Sequence, residues 1–240
     1  MIYEPTPQDD KFGALWVNPE ATQTVVRDLL AGKHIDQTLA ESFLFLEKYQ
    51  SDWTEFFGYL GYRLQHGEFG TVPFYYLSLE APGKKSTLQC NLSRESTFLG
   101  FYLVLHFMKL PPGNDTITGM ELLDRLIQTY SFSKLRSVFY GKSKFQGQVT
   151  ETQTEKIKKK IANALEELWK FRFVEVEPGP RSPFETLLIK ALPAIARFIE
   201  IAQRSLQNDE KEDDFEILMS AYLGAEPNEN MEDQGDESDE

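Results

Sequence analysis

The chain has a single cysteine, Cys90, among its 240 residues. An internal disulfide framework is therefore excluded, and a reducing compartment fits. Histidine is nearly as scarce: His34, His66 and His106 lie far apart, without the spacing of a metal site. There is no HExxH, paired Cys/His, EF-hand, P-loop or nucleophile-elbow pattern. No cofactor, metal or catalytic residue is expected. No apolar run is long enough to span a bilayer. The opening stretch MIYEPTPQDDKFG lacks both a basic region and an apolar core, so no signal peptide is expected and the cytoplasm is the plain inference.

Basic residues are outnumbered, 25 Lys and Arg against 38 Asp and Glu, for a net charge of −13. The deficit is local. Residues 206–240 hold 1 basic and 14 acidic residues, whereas 94–205 hold 17 basic and 12 acidic. The low isoelectric point therefore belongs to the tail, and the second half of the body is basic. Apolar residues make up 41% and aromatics 13%, enough for a substantial core.

The most informative stretch runs from Thr152 to Leu188. Thr152 and Glu155 form a capping box that predicts a helix start. Ile157, Ile161, Ala164, Leu165 and Leu168 recur at three and four, on one helical face. Lys156, Lys159, Lys160 and Lys170 fall outside that face. The period then shifts to two: Phe171, Phe173 and Glu175 point one way, Arg172, Val174 and Val176 the other. Pro178 to Pro180 break the strand, and a returning extended run is expected from Pro183 to Leu188. Helix, strand, turn and strand make the ending of a winged-helix domain, with Arg181 and Ser182 at the wing tip.

The first half has the same order. Ala21–Leu30 reads as a helix ended by a left-handed Gly32, followed by a very short strand at His34-Ile35 and a helix over 37–49. A third helix over 51–60 is expected to be capped by Ser51 and to bury Trp53, Phe56, Phe57 and Leu60. A hairpin follows, with Gly67 and Gly70 bracketing its turn and Phe74–Leu79 returning. The fold class is mainly α with small β-hairpin wings: tandem winged-helix domains and an acidic, disordered C-terminal tail.

The expected layout is a flexible segment at 1–20, a first winged-helix domain at 21–80 and a linker at 81–92. A second domain at 93–206 has a buried central helix (Ser93–Leu110), a helix over Thr118–Tyr130 and an extra helix over Pro193–Leu206. His106, in the central helix, is expected to be a satisfied core histidine. Residues 207–240 form the tail, whose amphipathic island, 213–224, either docks on a groove or packs on its own domain.

Residues 134–172 carry 10 Lys and Arg against 4 Asp and Glu. Lys142, Lys144, Lys156, Lys159, Lys160, Arg172 and Arg181 are the candidate DNA contacts, touching phosphates without reading bases. A merely solvated lysine face is the alternative. The acidic tail either competes with phosphates for that face or only solubilises. Candidate partner-binding residues are the aromatics Tyr59, Tyr62, Tyr75 and Tyr76, and Phe215, Leu218 and Tyr222 of the island. Strand alternation implies that Tyr75 and Tyr76 cannot both face inward.

LLAGKHI (Leu29–Ile35), FLFLEKYQSDWTEFFGYLGYRL, FYYL (Phe74–Leu77), TGMELLDRLIQTY (Thr118–Tyr130) and EKIKKKIANALEELWKFRFVEV (Glu155–Val176), with the acidic end, resemble one family in order and spacing. It is the MukE/MksE family, the E subunits (tandem winged-helix kite proteins) of bacterial Muk and Mks condensins. The developed 193–206 helix and the island favour the Mks branch. The resemblance implies a non-enzymatic subunit that dimerises, binds the kleisin F subunit and, with it, engages the SMC ATPase B subunit. It implies help in holding double-stranded DNA without sequence preference during chromosome condensation and segregation, at the nucleoid. A winged-helix transcription regulator, or the equivalent subunit of a plasmid-defence SMC system, is the alternative.

Overall fold

The structure, a computed structural model, describes residues 12–79, 92–110, 116–129, 138–139 and 151–200. Each half follows the same element order, helix–strand–helix–helix–hairpin. In the first half these are α1 (Pro19–Leu30), β1 (Ile35–Asp36), α2 (Ala40–Lys48), α3 (Gln50–Tyr59), β2 (Tyr62–Phe69) and β3 (Val72–Leu79). In the second they are α4 (Arg94–Met108), β4 (Thr116–Thr118), α5 (Gly119–Thr129), α6 (Glu151–Lys170), β5 (Val174–Glu177) and β6 (Leu188–Ala191). Each set of strands forms an antiparallel three-stranded sheet with the last strand in the middle, β1-β3-β2 and β4-β6-β5. The fold is mainly helical with two small hairpin-bearing sheets, as the sequence led one to expect.

Local chemistry sets the boundaries. Asn18 accepts from the Ala21 N–H at 3.1 Å and Pro19 occupies the first turn, so α1 starts there. Gly32, with φ +78°, ends it in the expected left-handed conformation. Ser93 caps α4, accepting from Ser96 N–H at 3.2 Å.

Several expectations need correction. Thr152 lies inside α6, which has already begun at Glu151, so it is not the N-cap. Ser51 likewise lies inside α3, whose N-cap position is Tyr49. Leu60 ends that helix exposed rather than buried, and Phe56 is only half-buried. Gly67 does not flank the turn. It sits within β2 opposite Phe74, where a Cβ would come within 2.5 Å of the Phe74 ring. Gly70, with φ +63°, is the turn glycine. Residues 183–187 do not extend as a strand: Phe184–Thr186 make a 3-10 turn and β6 begins at Leu188.

β5 begins later than the two-residue period suggested. Arg172 adopts φ +62°, so Phe171 and Arg172 belong to the turn that ends α6. That turn resets the phase. Phe173, Val174 and Val176 are all buried, and Glu175 points to solvent.

Two hydrophobic clusters form the core. One gathers Leu15, Val25, Leu29, Phe43, Leu46, Trp53, Phe57 and Tyr75 from the first half. The other is built on α4, α5, α6 and the second sheet, and it includes Phe74 and Tyr76. β3 is therefore a shared wall. Alternation sends Tyr75 to one face and Phe74 and Tyr76 to the other, and both faces are covered. The expectation that only one of Tyr75 and Tyr76 could be inward fails for this reason.

The segment after β6 closes the second core. Pro193–Ala196 form a 3-10 turn and residues 197–200 continue as helix, with Ile195 and Phe198 fully buried. The remainder of the expected 193–206 helix, the 81–91 part of the linker and the acidic tail lie outside the described residues. α4 is buried nearly all round, as expected of a central helix, but no helix of the described residues is long and apolar enough to cross a membrane.

Candidate functional site

The long helix α6 positions the cationic residues. Its apolar stripe, Ile157, Ile161, Ala164, Leu165 and Leu168, is buried against the second core. This fixes the outward direction of Lys156 and Lys159, which are exposed and form no ion pair among the described residues. Lys158 is clamped between Glu155 and Glu185, each at 2.8 Å, and these carboxylates hold its ammonium above the usual lysine range. Lys160 is half-buried and pairs with Glu95 at 3.1 Å. A groove of about 440 Å³ runs beside this half of the helix, lined by Lys156, Lys158, Lys159, Ala162 and Phe184 together with Glu155 and Glu185.

The other half of α6 is not basic. Glu166 accepts from Arg181 at 2.7 Å, and Glu167 caps the start of α4 through Ser93 N–H at 3.0 Å. Arg181 is at the hairpin turn, as expected, and well exposed, but it already has an anionic partner. Lys142 and Lys144 lie outside the described residues. Among the described residues, the candidate phosphate contacts free of a carboxylate partner are Lys156 and Lys159, whereas Lys160 and Arg181 are paired.

Arg172 is placed quite differently from the outer-face lysines. Its positive φ turns the guanidinium back onto the first half. It reaches both Asp36 oxygens at 3.4 Å and the Thr38 hydroxyl. Asp36 is fully buried and also accepts from Thr38 N–H at 2.8 Å. Arg172 therefore joins the halves and is corrected out of the phosphate-contact set.

His34 completes this joint, and sequence reasoning did not assign it a role. It is fully buried, with Nδ1 at 2.7 Å from the Phe171 carbonyl oxygen and Nε2 at 2.7 Å from Arg197 Nη1. An arginine only donates, so Nε2 must accept and Nδ1–H must donate to Phe171. The ring is thereby fixed as the neutral Nδ1–H tautomer. Burial, reinforced by the Arg197 charge, lowers its pKa to about 3. Arg197 also lies over the Tyr76 ring at 4.2 Å, and the Tyr76 hydroxyl donates to Glu200 at 3.3 Å. The available signal was the Lys33-His34-Ile35 step after a left-handed glycine; the partners, more than a hundred residues away, could not be read from it.

The candidate partner-binding aromatics divide. Tyr59 is exposed at 65%, edge-on to Phe12, and Tyr62 is half-buried against the first core. Tyr75 and Tyr76 are buried, at 3% and 8%, because each serves a core, and they are corrected out of the exposed set. Phe215, Leu218 and Tyr222 lie outside the described residues. His106 is half-buried and stacked on Tyr102 rather than in the core proper, and burial lowers its pKa. No group of His, Cys, Asp or Glu that could hold a metal ion occurs among the described residues.

The family model for MksE, described as condensin complex protein MksE, matches residues 20–203, from the first turn of α1 to beyond the joint. The chain belongs to the MksE family. The match includes His34, Asp36, Arg172 and Arg197 of the joint and Lys156 and Lys159 of the groove, and it agrees with the Mks-branch resemblance. Membership makes the chain an accessory protein of the condensin-complex class. No curated protein sequence matches it closely enough to add a relative.

Proposed function

We propose that this protein is the non-catalytic, cytoplasmic and nucleoid-associated E subunit of an Mks-type SMC complex. In this reading its halves are tandem winged-helix units, it binds the kleisin subunit, pairs with a second copy, and helps hold double-stranded DNA without sequence preference. The observation that carries the reading is the family match over residues 20–203. Two features support it. The repeated helix–strand–helix–helix–hairpin order is that of a winged-helix unit. The buried joint ties the two halves together through His34, Asp36, Arg172 and Arg197, which suits a side wall of a clamp.

Lys156 and Lys159 are the phosphate contacts in this reading, joined by Lys142, Lys144, Lys160 and Arg181 where these reach the duplex. Lysines are point charges without the planar fork that reads guanine, so binding through them is sequence-tolerant. Tyr59 and Tyr62 are the residues proposed for the kleisin or the second copy, and Phe215, Leu218 and Tyr222 are proposed to dock on a groove, a partner's or the chain's own. The DNA part is tested by fluorescence anisotropy with short duplexes of unrelated sequence. Similar affinities are expected for all, weakened about tenfold at low salt by K156E/K159E. Strong preference for one sequence would replace this reading with that of a transcription regulator.

A further inference from the structure

We propose that the chain's own residues 213–223 dock in the groove beside α6 and compete there with polyanions. The proposal rests on the reading of Lys156 and Lys159 as phosphate contacts. The groove is lined by the apolar Ala162 and Phe184 and by Lys156 and Lys159. Glu155 and Glu185 also line it, and Lys158, at 2.8 Å from each, offsets one of their two charges. With Lys156 and Lys159 the lining of this groove of about 440 Å³ holds three lysines against two glutamates, a small net positive charge beside the apolar Ala162 and Phe184.

Residues 213–223, DDFEILMSAYL, match that surface in both respects. Phe215, Leu218, Met219 and Tyr222 recur at three and four, and Asp213, Asp214 and Glu216 flank the first of them. Residues 206–240 otherwise hold almost no apolar side chains and 14 acids. An apolar anchor set among acids is the chemistry that a groove lined by apolar side chains and lysines selects. Reach is sufficient. The described chain ends at residue 200, and the residues between it and Asp213 span up to about 40 Å when extended. A compact chain of this size has a radius of gyration of about 18 Å.

Tethering makes even a weak contact count. An effective concentration in the millimolar range, about fourfold above the segment's own dissociation constant, gives a closed form about four times as populated as the open one. DNA must displace it, so the full chain binds DNA about fivefold more weakly than its groove would alone.

The test uses the full chain throughout. One variant, F215S/L218S, removes the anchor, and a second, D213N/D214N/E216Q, removes the flanking charge. Both leave the described fold intact, and an unchanged melting temperature checks this. Duplex binding by anisotropy should tighten about fivefold in each variant, the gain shrinking as salt rises. Carbodiimide cross-linking with mass-spectrometric mapping should join Lys156 or Lys159 to Asp213, Asp214 or Glu216, and F215S/L218S should abolish the cross-link. Independence from protein concentration marks the contact as within one chain. A cross-link that rises with concentration, or that survives F215S/L218S, overturns the proposal. Unchanged DNA affinity in both variants with no cross-link also overturns it. If the cross-link forms as expected but no variant binds DNA, the docking stands and the phosphate-contact reading fails.

Discussion

Lowering the pH should unlock the joint through His34. The folded ring is neutral, donating from Nδ1 to Phe171 and accepting at Nε2 from Arg197, so a second proton has no place to go. Protonation would set an imidazolium against Arg197, with Arg172 also near, in a fully buried position. Its folded pKa is about 3, against an ordinary value of 6.5. A depressed pKa means that the unfolded chain binds the proton first. The stability that His34 contributes is complete above pH 6.5, and it is lost as pH falls toward the folded value. Between pH 7 and pH 5 that loss is about 2 kcal/mol. The assay is urea unfolding followed by tryptophan fluorescence, with the fully buried Trp53 as the main reporter, on the wild-type chain and H34Q. H34Q should be less stable at pH 7, and its deficit should shrink by about 2 kcal/mol by pH 5. Because both chains share every other titrating group, the difference isolates His34. A deficit that stays constant from pH 7 to pH 5 would refute the neutral, doubly bonded ring.

Other perturbations separate structure from binding. R172A leaves the buried Asp36 carboxylate without its guanidinium and should cost about 3 kcal/mol in urea unfolding, while leaving the salt slope of DNA binding unchanged. K156E/K159E should do the reverse, with stability within about 0.5 kcal/mol of wild type and the slope of log affinity against log salt shallower by about 2. At Gly100 a Cβ would lie 2.1 Å from the Phe198 ring. G100A should therefore lower stability by about 1–3 kcal/mol despite alanine's better helix propensity, and F198A by about 3–5 kcal/mol, both read by thermal melting.

Short-range signals in the chain were the readable ones. α6 and α4 announce themselves because burial of a helix face imposes a spacing of three and four over many residues. The hairpins do so through glycine and proline punctuation. β4 was missed because three residues paired to a distant strand leave no period to detect. The two-residue period misplaces the phase of β5 because one non-glycine residue, Arg172, takes the left-handed conformation that closes α6, held by Arg172 N–H to Trp169 and Phe173 N–H to Leu168 and by its Asp36 and Thr38 contacts. Burial of both Tyr75 and Tyr76 was invisible for a related reason. Alternation tells which faces a strand has, but not that a second half will cover the outer one. At the candidate site, the outward lysines of α6 were legible from the wheel, but the carboxylates that occupy Lys160 and Arg181 come from packing. The joint around His34 is wholly tertiary.

The proposal that this chain is a non-catalytic side piece of an SMC complex has a direct test. The purified full chain is mixed with candidate kleisin and SMC ATPase subunits from its own genome, and the mass is measured by size-exclusion chromatography with light scattering. Co-elution as a defined assembly with the kleisin, weakened by substitution of Tyr59 and Tyr62, is the expected result. Elution of this chain alone at every concentration, with the kleisin unbound, would contradict it.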